Sequence, residues 1–347
     1  MPVNRQGERT LRNRKVVVRE LPTGALAESH FEMREAETSP LEEGQALMRT
    51  VLMSIDAANR AWMQGATYRE AVKAGDVMHT YAIGEVIESR SDRLAPGDVV
   101  AAECGWADYN VIDGRKAQKL KGEGPLSHQH SVYGIAGKTA HHGLMQVGQP
   151  QAGETVLVSA AAGSVGVFVG QIAKAKGCRV VGIAGGAEKC GWVVDELGFD
   201  ACVDHRGDAF FKALRAACPD GIDVYFDNVG GPILETALFL MNERGRVVCC
   251  GAVSQYDSAA PSGPRNVPGL LVVKRLRMEG FIVMDYFKED EAALADLSAM
   301  VASGAVKAPE DIVEGLENAP AALIGLLGGE NRGKRMVRVG PDPEGWT

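Results

Sequence analysis

The chain has 347 residues, 46% apolar and 24% charged, a balance that fits about two globular domains and excludes an intrinsically disordered or collagen-like chain. Its 45 acidic and 37 basic side chains leave a net charge of −8, which disfavours nucleic acid and anionic membrane as partners. Glycine is abundant, 42 residues, while aromatics make up 6%, so the pattern asks for tight turns or close backbone approach to a ligand rather than a broad aromatic surface.

In chain order, Arg5, Arg9, Arg12, Arg14, Lys15 and Arg19 precede no apolar h-region, so no signal peptide is expected. Short apolar runs follow at Val16–Val18, Ala46–Met53, Ala82–Glu88 and Val99–Ala102. The turn Leu94-Ala-Pro-Gly-Asp98 leads directly into the last of them, which predicts a β-rich module. From about residue 130 strands alternate with helices, the pattern of a parallel α/β sheet. Strands are predicted at Thr155–Ser159, Arg179–Ile183, Val224–Asp227, Arg246–Cys250 and Met278–Met284. Helices are predicted at Ala187–Leu197, Asp208–Ala217, Ile233–Met241, Glu289–Ser303 and Pro320–Leu327, with a final strand from Lys334 to Val339. The uncharged stretch Thr155–Ala173 divides into strand, turn and helix rather than a membrane span. Seven scattered cysteines with no C-x-x-C pair predict reduced thiols and a cytoplasmic location.

The strongest local signal is the turn Ala160-Ala-Ala-Gly163-Ser164-Val165-Gly166 between an apolar strand and a helix that closes at Gly177. Small residues there let backbone N–H groups of the helix start hold a pyrophosphate. At the end of the next strand an NAD site usually carries an acid, but here Gly185-Gly186 stands, with Lys189 and Arg206 nearby in sequence. Loss of the acid and gain of cations suit the 2′-phosphate of NADPH. No zinc site is expected: four clustered cysteines are missing, and His128, His130, His141 and His142 are better read as ordinary histidines. A Tyr-x-x-x-Lys pair is missing too, which points away from alcohol oxidation and toward reduction of an electrophilic carbon.

From about Asn13 to Val339 the chain resembles the zinc-independent medium-chain dehydrogenase/reductases, in the group of prostaglandin reductases, alkenal double-bond reductases and curcumin reductases. The resemblance rests on Met53-Ser-Ile-Asp56, Gly134-x-x-Gly-x-Thr-Ala140, the Ala160–Gly166 turn, Phe226-Asp-Asn-Val-Gly-Gly231, Cys250-Gly-Ala-Val-Ser-Gln-Tyr256, Glu279-Gly-Phe-Ile-Val283 and Asn331-x-Gly-Lys334. It implies a GroES-like β-rich domain at 1–130, completed by 306–347, and a Rossmann doubly wound parallel-sheet domain at 131–305. Cofactor and substrate would occupy the cleft between the two. Gly163, Ser164, Val165 and Gly166 then match the pyrophosphate turn, and Lys189 the 2′-phosphate lysine. Asn228, Cys250, Phe281, Val283 and Asn331 match further cofactor contacts, and Tyr256 a hydroxyl near the substrate carbonyl. A homodimer is expected on the same ground.

The chain departs from that pattern at four places. Ala57-Ala58-Asn59-Arg60 replaces a segment with a pocket aromatic, which leaves Asn59, Trp62 and Tyr68 as candidates for the pocket. His141-His142 replaces an aromatic pair, and Lys138 precedes it, so Lys138 and His141 are candidates to meet a polar or anionic part of the substrate. His205 stands where relatives place a tyrosine beside the 2′-phosphate. The expected activity is NADPH-dependent hydride transfer to the β-carbon of an α,β-unsaturated ketone or aldehyde. Quinone reduction and a catalytically silent NADPH-binding regulator are the alternatives.

Overall fold

The computed structural model describes residues 10–67, 69–121, 124–257 and 263–346. Tyr68, Arg5 and Arg9 lie outside the described residues. The chain forms two compact units. One comprises 1–130, 311–330 and 335–347, the other 131–310 and 331–334.

In the first unit, β1 (Arg12–Val18) and β2 (Phe31–Glu37) form an antiparallel pair. Then follow β3 (Gln45–Ser54), β4 (His79–Ser89), β5 (Val99–Gly105), β6 (Tyr109–Asp113) and β7 (Gln118–Lys119). β3, β4 and β5 run antiparallel, and β6 pairs with β3. The expected Pro-Gly turn delivers the chain into β5, with the Asp98 carboxylate accepting the Ala95 N–H at 2.7 Å. Buried Met48, Met53, Ala82, Val86 and Val100 form the core, where Phe31 stacks on Trp106 at 5.7 Å between ring centres.

The second unit carries β8 (Thr155–Ser159), β9 (Arg179–Ala184), β10 (Ala201–Asp204), β11 (Ile222–Asp227), β12 (Met241–Cys249) and β13 (Arg277–Gly280). They form one sheet in the order β10-β9-β8-β11-β12-β13, with every pairing parallel. Side chains alternate across it: Val156, Val158, Val224 and Phe226 face one apolar layer, Leu157, Val181 and Tyr225 the other. Helices cover both faces, which explains why these strands read as continuous apolar runs. The order reverses between β8 and β11. In a doubly wound sheet that reversal opens a crevice at the strands' carboxyl ends, where ligands bind. Among the tail strands, β14 (Glu310–Glu314) and β15 (Lys334–Arg338), β15 joins β3 antiparallel in the first unit through Met336–Arg338.

The predicted strand Met278–Met284 is shorter in the structure. Its last pair is Cys249 with Gly280, where β12 ends, and Val283–Glu289 turns into a 3-10 helix. Phe281 and Val283 therefore lie beyond the sheet. Among the described residues no helix is long and apolar enough to cross a membrane.

Candidate active site

The turn after β8 is wound too tightly for larger side chains. A Cβ on Gly166 would lie 2.2 Å from the Ala160 carbonyl oxygen and 2.9 Å from the Ala161 Cα. Gly163 donates its N–H to that same oxygen at 2.8 Å. Ser164 and Val165 lead into the helix Gly166–Ala175. Such a start favours an anion.

The corner at the end of β9 is cationic. A Cβ on Gly185 would lie 3.0 Å from Arg206 Nε and 3.2 Å from Arg206 Nη2, so the guanidinium lies where an NAD-selecting acid would stand. His205 donates its N–H to the Ala184 carbonyl. The Asp204 carboxylate accepts the N–H groups of Gly186 and Arg206, each at 2.9 Å. Lys189 Nζ donates to the Asn331 carbonyl oxygen at 2.5 Å, while the Asn331 amide donates to the Gly333 carbonyl. The glycine cradle and the grouped cations fit a dinucleotide carrying a 2′-phosphate. The sequence alone gave no role to Arg332, which pairs with Glu188 beside Lys189.

At the reversal point Asp227, 2% exposed, organises the loop. Its Oδ1 accepts from Tyr225 Oη at 2.7 Å, Ser159 Oγ at 3.1 Å, and the N–H groups of Val229 and Gly230. Its carbonyl accepts from Cys250 and Gly251. Asn228 donates its side-chain amide to the Ser159 carbonyl at 2.8 Å. This network went unread in the sequence, although Asp227 lies inside a recognised segment. Tyr256 closes the short helix Val253–Tyr256, its oxygen accepting the Ala252 N–H at 3.3 Å. The Phe281 ring packs edge-on to Phe226 and against Gly143, where a Cβ would meet it at 2.4 Å.

Lys138 and His141 are buried on the helix Ile135–His142 and have partners within the second unit. Lys138 Nζ lies 2.7 Å from Asp290 Oδ2, and His142 Nε2 lies 3.1 Å from Asp290 Oδ1. His141 Nε2 meets Asp296 Oδ2 at 3.0 Å, an oxygen shared with Lys176. Nothing in the sequence spacing announced these carboxylates, which come from the helix Asp290–Ala302 more than 140 positions away.

Burial pushes the His141 imidazole below the ordinary histidine range, although Asp296 pulls the other way. The unfolded chain therefore takes up the proton first, near pH 6.5, and this residue's contribution to stability falls as pH drops through that value. His141→Phe is expected to flatten the loss of stability between pH 7.5 and 5.5, measured by urea unfolding at each pH. Identical slopes in the two proteins would show that His141 titrates alike folded and unfolded.

Asn59 and Trp62 lie in the first unit on the helix Ala57–Trp62. Asn59 is 1% exposed, and its amide caps that helix, accepting the Asp56 N–H and donating to the His79 carbonyl, each at 2.8 Å. Trp62 carries the Arg69 guanidinium 4.4 Å above its ring centre, with Arg69 held by Glu103 at 2.7 Å. Among the described residues no group of three or more His, Cys, Asp or Glu side chains is placed to hold a metal.

A glycine turn after the first strand of a six-stranded parallel sheet, following a β-rich first unit, is the arrangement of a nucleotide-dependent dehydrogenase or reductase. Residues 14–120 match the family described as the N-terminal domain of oxidoreductase, and 164–300 match the family described as zinc-binding dehydrogenase. The NADPH-dependent curcumin reductase of Escherichia coli is 42% identical over 97% of this chain and 99% of its own. Prostaglandin reductase 1 of Rattus norvegicus is 40% identical over 91% and 96%. The crystal structure of CurA from Vibrio vulnificus in complex with NADPH superposes with a TM-score of 0.90 at 38% identity, covering 95% of this chain and all of that one. The chain belongs to the medium-chain dehydrogenase/reductase superfamily, in its group of curcumin and prostaglandin reductases.

Proposed function

We propose that the chain is an NADPH-dependent, zinc-independent reductase acting on the carbon–carbon double bond of α,β-unsaturated ketones and aldehydes. The observation that carries the cofactor assignment is the Arg206 guanidinium lying over Gly185, in the place where an acid would select NAD. Curcumin and prostaglandin reductases, similar over nearly the whole chain, support the reaction.

NADPH supplies the hydride that goes to the substrate β-carbon. The residues of the chain hold the reactants and receive charge. Gly163, Ser164, Val165 and Gly166 form the pyrophosphate turn; Lys189, His205 and Arg206 surround the 2′-phosphate. Asn228, Cys250, Phe281, Val283 and Asn331 shape the rest of the cofactor site, with Ser159 fixing Asn228 and the Asp227 carbonyl fixing Cys250 from behind. Tyr256 donates a hydrogen bond to the substrate carbonyl oxygen, where negative charge gathers as the β-carbon is reduced. Its oxygen accepts the Ala252 N–H, which ties the ring to the start of the same short helix. In the first unit Trp62 supplies the aromatic surface of the substrate pocket, while Asn59 holds the helix beneath it. Lys138 and His141 hold their helix against Asp290–Ala302.

The test is steady-state turnover on a panel of enals, enones and quinones with product identification. Saturated carbonyl products support this reading; hydroquinone as the main product would replace it with quinone reduction, and no turnover with retained NADPH binding would replace it with a silent binder. Tyr256→Phe is expected to lower kcat about 100-fold, the usual loss when one oxyanion donor is removed, with KM little changed. An unaltered kcat would remove Tyr256 from the reaction.

The reading includes a cytoplasmic homodimer. Among the described residues β13 ends the sheet order, and Val272 and Val273 shortly before it are 75% and 69% exposed, an apolar rim next to the last strand. Light scattering that gives a monomer would exclude this arrangement.

A further inference from the structure

The site that binds the 2′-phosphate contains a carboxylate it ought to avoid. Glu188 is the second residue of the helix Ala187–Leu197, directly before Lys189. An acid in the first turn stabilises a helix through its macrodipole. The same charge repels a phosphate dianion at the neighbouring lysine. Two local requirements therefore conflict at Glu188.

Arg332 meets this acid. Its guanidinium pairs with Glu188 Oε1, and its backbone is fixed on both sides. Before it, the Asn331 carbonyl receives Lys189 Nζ, and the Asn331 amide donates to the Gly333 carbonyl at 2.9 Å. After it, the Gly333 N–H donates to the Ala162 carbonyl of the pyrophosphate turn at 2.8 Å. Gly333 has φ +78°, and a Cβ there would lie 2.1 Å from the Pro309 carbonyl oxygen, so the strip cannot shift by taking a larger residue. Arg332 is thus presented by a strip bonded to Lys189 on one side and to the turn on the other. Around this corner stand Lys189, Arg206 and Arg332 against Glu188 and Asp204, with His205 beside them. Asp204 is already held by the N–H groups of Gly186 and Arg206, and the exposed Glu188 carboxylate takes its opposing charge from Arg332.

We propose that Arg332, by neutralising Glu188, strengthens the preference of this chain for NADPH over NADH. It is a specificity-determining residue that acts through Glu188 rather than by gripping the phosphate. The inference rests on the NADPH reading above and adds a residue to it. Without Arg332 the phosphate meets an unopposed carboxylate, whereas NADH, which has only a 2′-hydroxyl there, is indifferent to it.

The experiment measures dissociation constants of NADP+ and NAD+ by titration calorimetry on the full chain: wild type, Arg332→Ala, Glu188→Gln and the double variant. Arg332→Ala is expected to weaken NADP+ about fivefold and leave NAD+ within about twofold, the scale of one exposed charge interaction. Glu188→Gln in that background is expected to restore NADP+ to within about twofold of wild type, and the Arg332→Ala defect is expected to shrink in high salt. The inference is overturned if Arg332→Ala leaves the NADP+/NAD+ ratio unchanged, if the double variant stays as weak as the single, or if both cofactors weaken equally. If wild type binds the two cofactors alike, the NADPH reading fails first and this inference with it. A wild-type preference that stays undiminished in Arg332→Ala sinks this inference alone.

Discussion

Asp290→Ala is expected to destabilise the second unit by about 3–5 kcal/mol, the usual cost of removing one partner from a buried ion pair. Asp290 serves two neighbours at once. Its Oδ2 takes the Lys138 ammonium at 2.7 Å, and its Oδ1 lies 3.1 Å from His142 Nε2. The side chains of Lys138 and Asp290 are only 11% and 17% exposed, so water cannot replace the carboxylate readily. His142 is buried completely, stacked on Tyr286 at 5.4 Å between ring centres. Alanine leaves an ammonium and an imidazole without an acceptor under a helix that starts at residue 290. Asp290 also opens that helix, where its negative charge opposes the partial positive charge of the free N–H groups. Urea unfolding followed by circular dichroism measures the effect. Lys138→Met combined with Asp290→Ala removes both charges, and it should recover part of the loss because an apolar pair needs no partner. Arg265, whose side chain is 90% exposed in its pair with Glu235, is the comparison: Arg265→Ala should change stability by less than about 0.5 kcal/mol. A loss for Asp290→Ala as small as that for Arg265→Ala would show that the burial does not matter.

Gly166→Ala is expected to weaken NADP+ binding by more than about tenfold, because the backbone that cradles a pyrophosphate must open to admit one methyl group. The atoms in the way are the Ala160 carbonyl oxygen at 2.2 Å, the Ala160 carbonyl carbon and the Ala161 Cα. All belong to the turn, and none can rotate aside as a side chain would. The comparison is Gly186→Ala. That glycine has φ +94° and ψ +146° but open space around its missing Cβ, so alanine there adds backbone strain of about 1–3 kcal/mol without displacing the turn. Calorimetric titration with NADP+ and thermal unfolding of both variants separate the two effects. Equal affinity in Gly166→Ala and wild type would mean that the turn does not hold the cofactor.

The parallel sheet was legible because its strands are buried on both faces and bounded by helices. β8 occupies Thr155–Ser159 and the helix Ala187–Leu197 has its predicted ends. β10, four residues long and half covered, carried too little apolar signal to be read. The strand near Met278 was drawn too long because its apolar run continues through Phe281 and Ile282 after the partner strand has stopped. Of the candidate site, the glycine turn and the missing acid were visible because they depend on neighbours in sequence. The partners of Lys138 and His141 and the engagement of Asn59 were not, because they are settled by residues 20 to more than 150 positions away. A chain can announce that it places a lysine inside; it does not announce which acid will answer it.

The strip 331–334 belongs to the nucleotide-binding unit, while the segments on either side of it belong to the other. The nucleotide-binding unit is therefore not a transferable cassette. A chimera that exchanges residues 131–310 for those of a relative would keep the original Asn331, Arg332 and Gly333 against a foreign Ala162, Glu188 and Lys189. Modularity along the chain and modularity in space part company at these four residues, so recombination can separate two stretches that fold as one unit.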